Sequence, residues 1–213
     1  MIGFYPFPKP NSWIVAIMLA ETGLDYREIH KRQERRDLWA INPEAKFPAI
    51  VDHSAVGSRM TVNESGAILL FLAEKSGQFG PGLSAGDKAF YEWLFWQPTQ
   101  VQRQDTSAQD THGCAGQAYE TVHETFESLL TQIETRLDGQ DYLFREYTIA
   151  DMANFPWVLV ARLLGLDLNR FPNVTAWRDR ILSRSAVRTA INLNTDSQHS
   201  TTAAAIQYCQ YCH

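Results

Sequence analysis

Cysteine is scarce in this chain: Cys114, Cys209 and Cys212 are the only three among 213 residues. That excludes a disulfide scaffold and makes a reducing cytoplasm the simplest home. Long apolar runs are missing too. The longest, Trp13 to Ala20, spans 8 residues, far short of the roughly 20 that a membrane helix needs. The N-terminal MIGFYPFPKP has no basic stretch leading into an apolar one, so a secretory signal is not expected. Nor is there an excess of positive charge. The formal net charge is −5, which argues against non-specific nucleic-acid binding. His30, Lys31, Arg32, Arg35 and Arg36 form a short basic cluster, read as a solvated face or the rim of a ligand site. No metal is expected: His112 and Cys114 are too sparse. The C-x-x-C-H string of Cys209, Cys212 and His213 merely closes a polar tail. What remains is ordinary globular composition, 45% hydrophobic and 20% charged, enough for one or two cores.

The first 76 residues mix strand-like and helical segments. Ile2 to Tyr5 is a short apolar run stopped by Pro6, Pro8 and Pro10. Asn11 and Ser12 read as N-caps of a helix carrying Trp13, Ile14, Ile17 and Met18, which Gly23 ends. Tyr26–His30, Phe47–Val51 and Met60–Val62 read as strands. A second helix starts at Ser65 and stops near Gly77. Residues 77–86, rich in glycine, read as a linker. Beyond it the periodicity is helical over Ala89–Gln97, Ala118–Leu137, Ile149–Leu164 and Val174–Ser183. Thr148 with Asp151 forms a capping-box pattern at the start of the third. The expected layout is an α/β domain over 1–76, the linker 77–86, an all-helical domain over 87–193, and a loosely held tail over 194–213.

Four segments stand in order along this layout. They are Asn42-Pro43-Glu44-Ala45-Lys46-Phe47-Pro48-Ala49-Ile50-Val51-Asp52, Asn63-Glu64-Ser65-Gly66-Ala67-Ile68, Thr148-Ile149-Ala150-Asp151 and Thr175-Ala176-Trp177. Together they resemble the cytosolic glutathione transferase family, whose fold joins a thioredoxin-like α/β N-terminal domain to an all-α C-terminal domain. Tyr5 with Pro8, Pro10 and Asn11, then Leu24-Asp25-Tyr26, Ile50-Val51-Asp52-His53-Ser54 and Trp93-Leu94-Phe95-Trp96-Gln97, are most similar to its bacterial nu class and fungal relatives.

The resemblance implies a homodimeric enzyme that uses glutathione as co-substrate and needs neither metal, membrane nor nucleic acid. A thiol of pKa roughly 8.5 must be held as thiolate to react near neutral pH. Ser65, at a helix N-terminus, would receive the γ-glutamyl carboxylate, and Glu64 the amine. Phe47, before an expected cis Pro48, would pair through its main chain with the cysteine unit. Gln33 matches a glutamine that binds the glycine end. Lys46 either reaches the glycine carboxylate or is a solvated surface lysine.

One departure concerns the sulfur. The nu-class Thr-Pro-Asn pattern reads Lys9-Pro10-Asn11 here. Asn11 remains to donate to a thiolate, with Ser12 a further donor. Lys9 either supplies a positive charge to the sulfur or points to solvent. Tyr5, inside a strand, reads as packing. For the second substrate, Phe7, Trp13 and Trp96 read as walls or as core. Gln100 and Arg103 stand in a polar stretch where relatives are glycine-rich, and Arg103 faces an anion or solvent. The acceptor is an electrophile or a disulfide, and the departures point to a specialised role such as a biosynthetic sulfur-transfer step. The alternative is a glutathione-binding regulatory protein with little catalysis.

Overall fold

The computed structural model describes residues 1–7, 9–30, 47–54, 59–81, 88–96 and 115–195. Four short strands form one sheet: β1 (Ile2–Tyr5), β2 (Tyr26–Glu28), β3 (Ala49–Asp52) and β4 (Met60–Asn63). Their order is β2-β1-β3-β4, with β2 parallel to β1 and the other pairs antiparallel. Alternation sorts the side chains to two faces. Ile2, Phe4 and Ile50 join the main core, while Tyr5, Ile29, Ala49 and Val51 form a smaller cluster with Phe47 against it. Tyr5 therefore packs, as expected.

Helix α1 (Pro10–Thr22) is buried along most of its length, from Ser12 through Leu19. Its start corrects the sequence reading. Lys9 is the N-cap, and Asn11 and Ser12 lie within the first turn. Pro10 decides this: at the first helical position its missing N–H costs nothing. The Ser12 hydroxyl is engaged elsewhere, accepting the Phe7 N–H at 2.9 Å. Gly23 ends α1 in the left-handed conformation at φ 63°. Helix α2 (Ser65–Ser76) follows β4 and stops at Gly77, whose N–H donates to the Ala73 carbonyl at 2.8 Å.

Everything described beyond residue 88 is helical or a connection between helices. Helix α3 spans residues 88–96, α4 is Ala115–Arg136, α5 is Ile149–Leu163, α6 is Pro172–Leu182 and α7 is Ser185–Thr195. The capping box at Thr148 and Asp151 is present. Asp151, fully buried, also accepts from the Leu143 N–H and the Trp177 indole N–H, at 2.9 and 2.8 Å. Helix α7 was not expected. Its signal is thin, because the inward residues Val187, Ala190 and Ile191 make only one short i, i+3, i+4 stripe in a polar stretch. Both α7 and α5 pack on α1, so the helical part is seated on the α/β part through α1. Among the described residues, no helix is long and apolar enough to cross a membrane.

Candidate functional site

The register of the sheet gathers the candidate residues. Tyr5 pairs with Ala49, and Ala49 with Asn63, across β1, β3 and β4. The exit from β1 into α1, the Phe47-Pro48 entry to β3 and the exit from β4 through Glu64 into α2 therefore share one end of the sheet. Strand β2, parallel to β1, leaves at that end as well, where the Ile29 N–H donates to the Phe4 carbonyl at 2.7 Å. Two helix N-termini, those of α1 and α2, start from this end. Each presents N–H groups with no partner inside the helix, and the positive ends of both dipoles favour an anion.

At the first of these starts, Lys9 is exposed in extended backbone and caps nothing with its side chain. Asn11 is half-buried in the first turn, and among the described residues its amide has no hydrogen-bond partner. Ser12 is fully buried. By holding the Phe7 N–H it ties the loop to the helix. Phe7, half-buried, stacks on Phe47 with ring centroids 5.8 Å apart and planes 17° from parallel. That contact spans from the β1 exit to the β3 entry. The Phe47-Pro48 peptide bond is cis, as expected.

At the second start, Glu64 occupies φ 68°, ψ 123°. A non-glycine residue there costs on the order of 1–3 kcal/mol, and such strain gathers at functional sites. Its exposed carboxylate makes no cap to the helix. The ladder of α2 opens with the Ile68 N–H to the Glu64 carbonyl at 2.9 Å, which leaves the Ser65, Gly66 and Ala67 N–H groups ahead of it. Ser65 is only 9% exposed, and among the described residues its hydroxyl has no partner. Beside the N–H groups ahead of the ladder, that hydroxyl is a donor placed to meet a ligand oxygen.

Asp52, the acid of the Pro48–Asp52 motif, has a different place. It lies at the far end of β3, 2.9 Å from the Lys75 ammonium in the last turn of α2, with Ser54 donating its N–H at 2.9 Å. Burial pushes its carboxyl up, but hydrogen bonds from Lys75 and Ser54 and the lysine charge outweigh that and hold it at about 2. Asp52 clamps strand to helix.

Of the expected walls, Trp13 is buried in the core. Trp96 is half-buried on α3, its ring centroid 5.0 Å from that of Trp93. Gln33, Lys46, Gln100 and Arg103 lie outside the described residues, as do His112, Cys114, Cys209 and Cys212. Phe95 was given no role in the sequence. Its signal was available, because Phe95 and Tyr91 sit one helical turn apart and both are exposed.

Two family models match the chain: the glutathione S-transferase N-terminal domain over residues 2–74 and the C-terminal domain over residues 114–185. The chain is 36% identical over 206 residues to the disulfide-bond oxidoreductase YfcG of Escherichia coli, covering 90% of this chain and 94% of that one. It is 31% identical over 211 residues to glutathione S-transferase 2 of Schizosaccharomyces pombe, covering 84% and 89%. Among solved structures, it matches a glutathione transferase family member from Pseudomonas fluorescens with two glutathione bound. The TM-score is 0.74 at 29% identity, covering 89% of this chain and 92% of that one. A glutathione transferase from Pseudomonas putida, with one glutathione disulfide bound per subunit, matches with a TM-score of 0.72 at 26% identity, covering 90% and 91%.

Proposed function

The chain belongs to the glutathione S-transferase family, and from that premise we propose that it activates the thiol of glutathione for exchange with a disulfide substrate. One observation carries the reading. Among the described residues, the Asn11 amide and the Ser65 hydroxyl have no hydrogen-bond partner, and they stand in the first turns of two helices that start at the same end of the sheet.

Each end of glutathione has a counterpart there. Ser65 and the N–H groups of α2 take the γ-glutamyl carboxylate, and Glu64 takes the amine. The main chain of Phe47 lies along the cysteine unit, ahead of Pro48. Asn11 donates to the sulfur, and the positive end of α1 lowers the thiol pKa from roughly 8.5 toward neutral. Lys9 adds a positive charge at the same helix start. Ser12, fully buried, holds the loop in place by accepting the Phe7 N–H, and its own O–H is a further donor at the start of α1. Gln33 and Lys46 are assigned to the glycine end. Phe7, Trp96, Gln100 and Arg103 are assigned to the second substrate.

In the reaction the glutathione thiolate attacks one sulfur of a disulfide. A glutathione–sulfur bond forms, the original sulfur–sulfur bond breaks, and the departing thiolate takes up a proton. A second glutathione thiolate then attacks the mixed disulfide, giving glutathione disulfide and the second substrate thiol. No cysteine precedes Cys114, so both electrons come from glutathione. The disulfide-bond oxidoreductase name of the Escherichia coli relative supports this choice. So do the pair of glutathiones and the glutathione disulfide in the Pseudomonas structures. Lys9, where the nu-class pattern has threonine, favours a second reading, in which the same thiolate attacks a carbon electrophile in a biosynthetic step. A homodimer is part of the proposal, with the exposed Tyr91 and Phe95 of α3 offering apolar surface to a second copy. A reducing cytoplasm is its setting.

The test is reduction of bis(2-hydroxyethyl) disulfide by glutathione, followed through glutathione reductase and NADPH. Ser65→Ala is expected to raise KM for glutathione, and Asn11→Ala to lower kcat. Glutathione binding without turnover of disulfides or electrophiles would instead identify a binding protein, and unchanged kinetics in both variants would remove the mechanism.

A further inference from the structure

Phe95 stands on the solvent side of α3 with 45% of its surface exposed. Its ring lies against Gly66, the second residue of α2. A β-carbon on Gly66 would fall 2.8 Å from Phe95 Cε1, 3.3 Å from Cδ1 and 3.8 Å from Cζ. All three atoms belong to one ring. Gly66 is not among the glycines at positive φ, so left-handed backbone is not what requires glycine there. What a β-carbon there would meet is the far edge of the Phe95 ring, which must shift to admit one.

That contact sits at a sensitive place. Gly66 directly follows Ser65, and its N–H is one of the donors ahead of the α2 ladder. On the other side of Ser65, Glu64 is fixed at φ 68°. Ser65 is thus held between a strained residue and a residue pressed by an aromatic ring. The ring comes from α3, the helix that also carries Trp96, so the contact joins the glutathione end of the site to the helical part.

We propose that Phe95 is a positioning residue for glutathione: seated on Gly66, its ring fixes the first turn of α2 so that the Ser65 hydroxyl and the neighbouring N–H groups meet the γ-glutamyl carboxylate. The inference rests on the reading of Ser65 given above. Phe95 touches no reacting atom. It acts through Gly66, and its removal lets the first turn move in a site where displacements well under 1 Å weaken hydrogen bonds.

The test is calorimetric titration with reduced glutathione of the full chain and of Phe95→Ala, Gly66→Ala and the double variant, with Phe95→Leu as the milder change should Phe95→Ala not fold. Each single change is expected to weaken glutathione binding about 5-fold, with the double variant no weaker than the poorer single. The coupling arises because a methyl at position 66 takes space that the ring has vacated. In turnover the loss falls on KM for glutathione and not on kcat, which general destabilisation would not produce. Single variants within about 2-fold of the parent, or losses that multiply in the double variant, overturn the inference while leaving the site reading intact. Sedimentation at the same concentrations reports assembly, and an affinity loss that merely tracks dissociation also overturns it. An absence of heat with the parent protein overturns the site reading and the inference together.

Discussion

Arg184 grips Glu21 across 163 residues of chain, donating from Nε to Oε1 at 2.6 Å and from Nη2 to Oε2 at 2.8 Å. Glu21 lies in the last turn of α1, and Arg184 joins α6 to α7. The guanidinium also lies over the Tyr147 ring at 4.2 Å and the Phe79 ring at 6.0 Å. One side chain thus binds the α/β part, the helical part and the segment between them. Phe79, at φ 61°, is held in place by the Ile149 N–H donating to its carbonyl at 3.0 Å. Arg184→Ala leaves the Glu21 carboxylate, 6% exposed, without its partner. A cost of about 3 kcal/mol is expected, below the top of the range for buried pairs because the arginine is partly solvated. Arg184→Lys keeps the charge but loses the two-point grip, and falls between parent and alanine. Urea denaturation of the three proteins measures the order.

Among the described residues, the carboxyl groups of Asp52 and Asp151 are shifted, in separate pH windows and with opposite sign. Asp52 is held at about 2, below its ordinary value. The stability it contributes is present above pH about 4 and is lost as pH falls toward 2. Lys75→Met removes the charge and one of the donors that hold it there, leaving those of Ser54. Acid unfolding of Lys75→Met, followed by circular dichroism, is expected at a higher pH than in the parent protein. An unchanged midpoint would mean that the Asp52–Lys75 pair does not set the acid limb.

Asp151 goes the other way. Burial pushes its carboxyl up to about 6, against hydrogen bonds from the Leu143 N–H, the Thr148 N–H, the Trp177 indole and the Thr148 hydroxyl. The folded protein therefore keeps this proton in a range where the unfolded chain has lost it. Stability linked to the group is present below about pH 4 and declines as pH rises to about 6, after which it is level. Asp151→Asn removes the slope but turns an NH2 toward N–H donors, and a loss of about 2 kcal/mol is expected. Denaturation at pH 4, 5, 6 and 7 separates the two effects: the parent should weaken up to about pH 6 and then level off, and the variant should be flat, with its deficit largest at pH 4.

The elements legible in the sequence are those with local signals. Gly23 and Gly77 stop their helices because only the left-handed region lets the chain turn there, and Thr148 with Asp151 caps α5 within four residues. The convergence of Asn11, Phe47 and Ser65 was legible only through the resemblance, since no periodicity reveals that Tyr5, Ala49 and Asn63 stand side by side. Ser12 read as a cap because serine commonly is one. Its hydroxyl serves the Phe7 backbone instead, a tertiary use that spacing does not encode. Arg184–Glu21 and Phe95–Gly66 escaped for the same reason: each joins segments far apart in sequence, and each partner alone reads as surface or as helix interior.

Glu64 offers a test that sets stability against binding at one position. Its φ of 68° is a conformation that glycine adopts freely and that any side chain pays for in steric contact. Glu64→Gly is expected to be more stable than Glu64→Ala by about 1 kcal/mol, because alanine keeps the β-carbon that strains the backbone. Both variants lose the carboxylate assigned to the ligand amine, so both are expected to bind glutathione about 10-fold more weakly than the parent. Melting curves and calorimetric titration of the pair read the two quantities independently. If the glycine variant were the tighter binder of the two by the full difference in stability, backbone strain and not the carboxylate would govern affinity at this residue. If both bound as the parent does, the amine would have its partner elsewhere, and Glu64 would be retained only to turn the chain from β4 into α2.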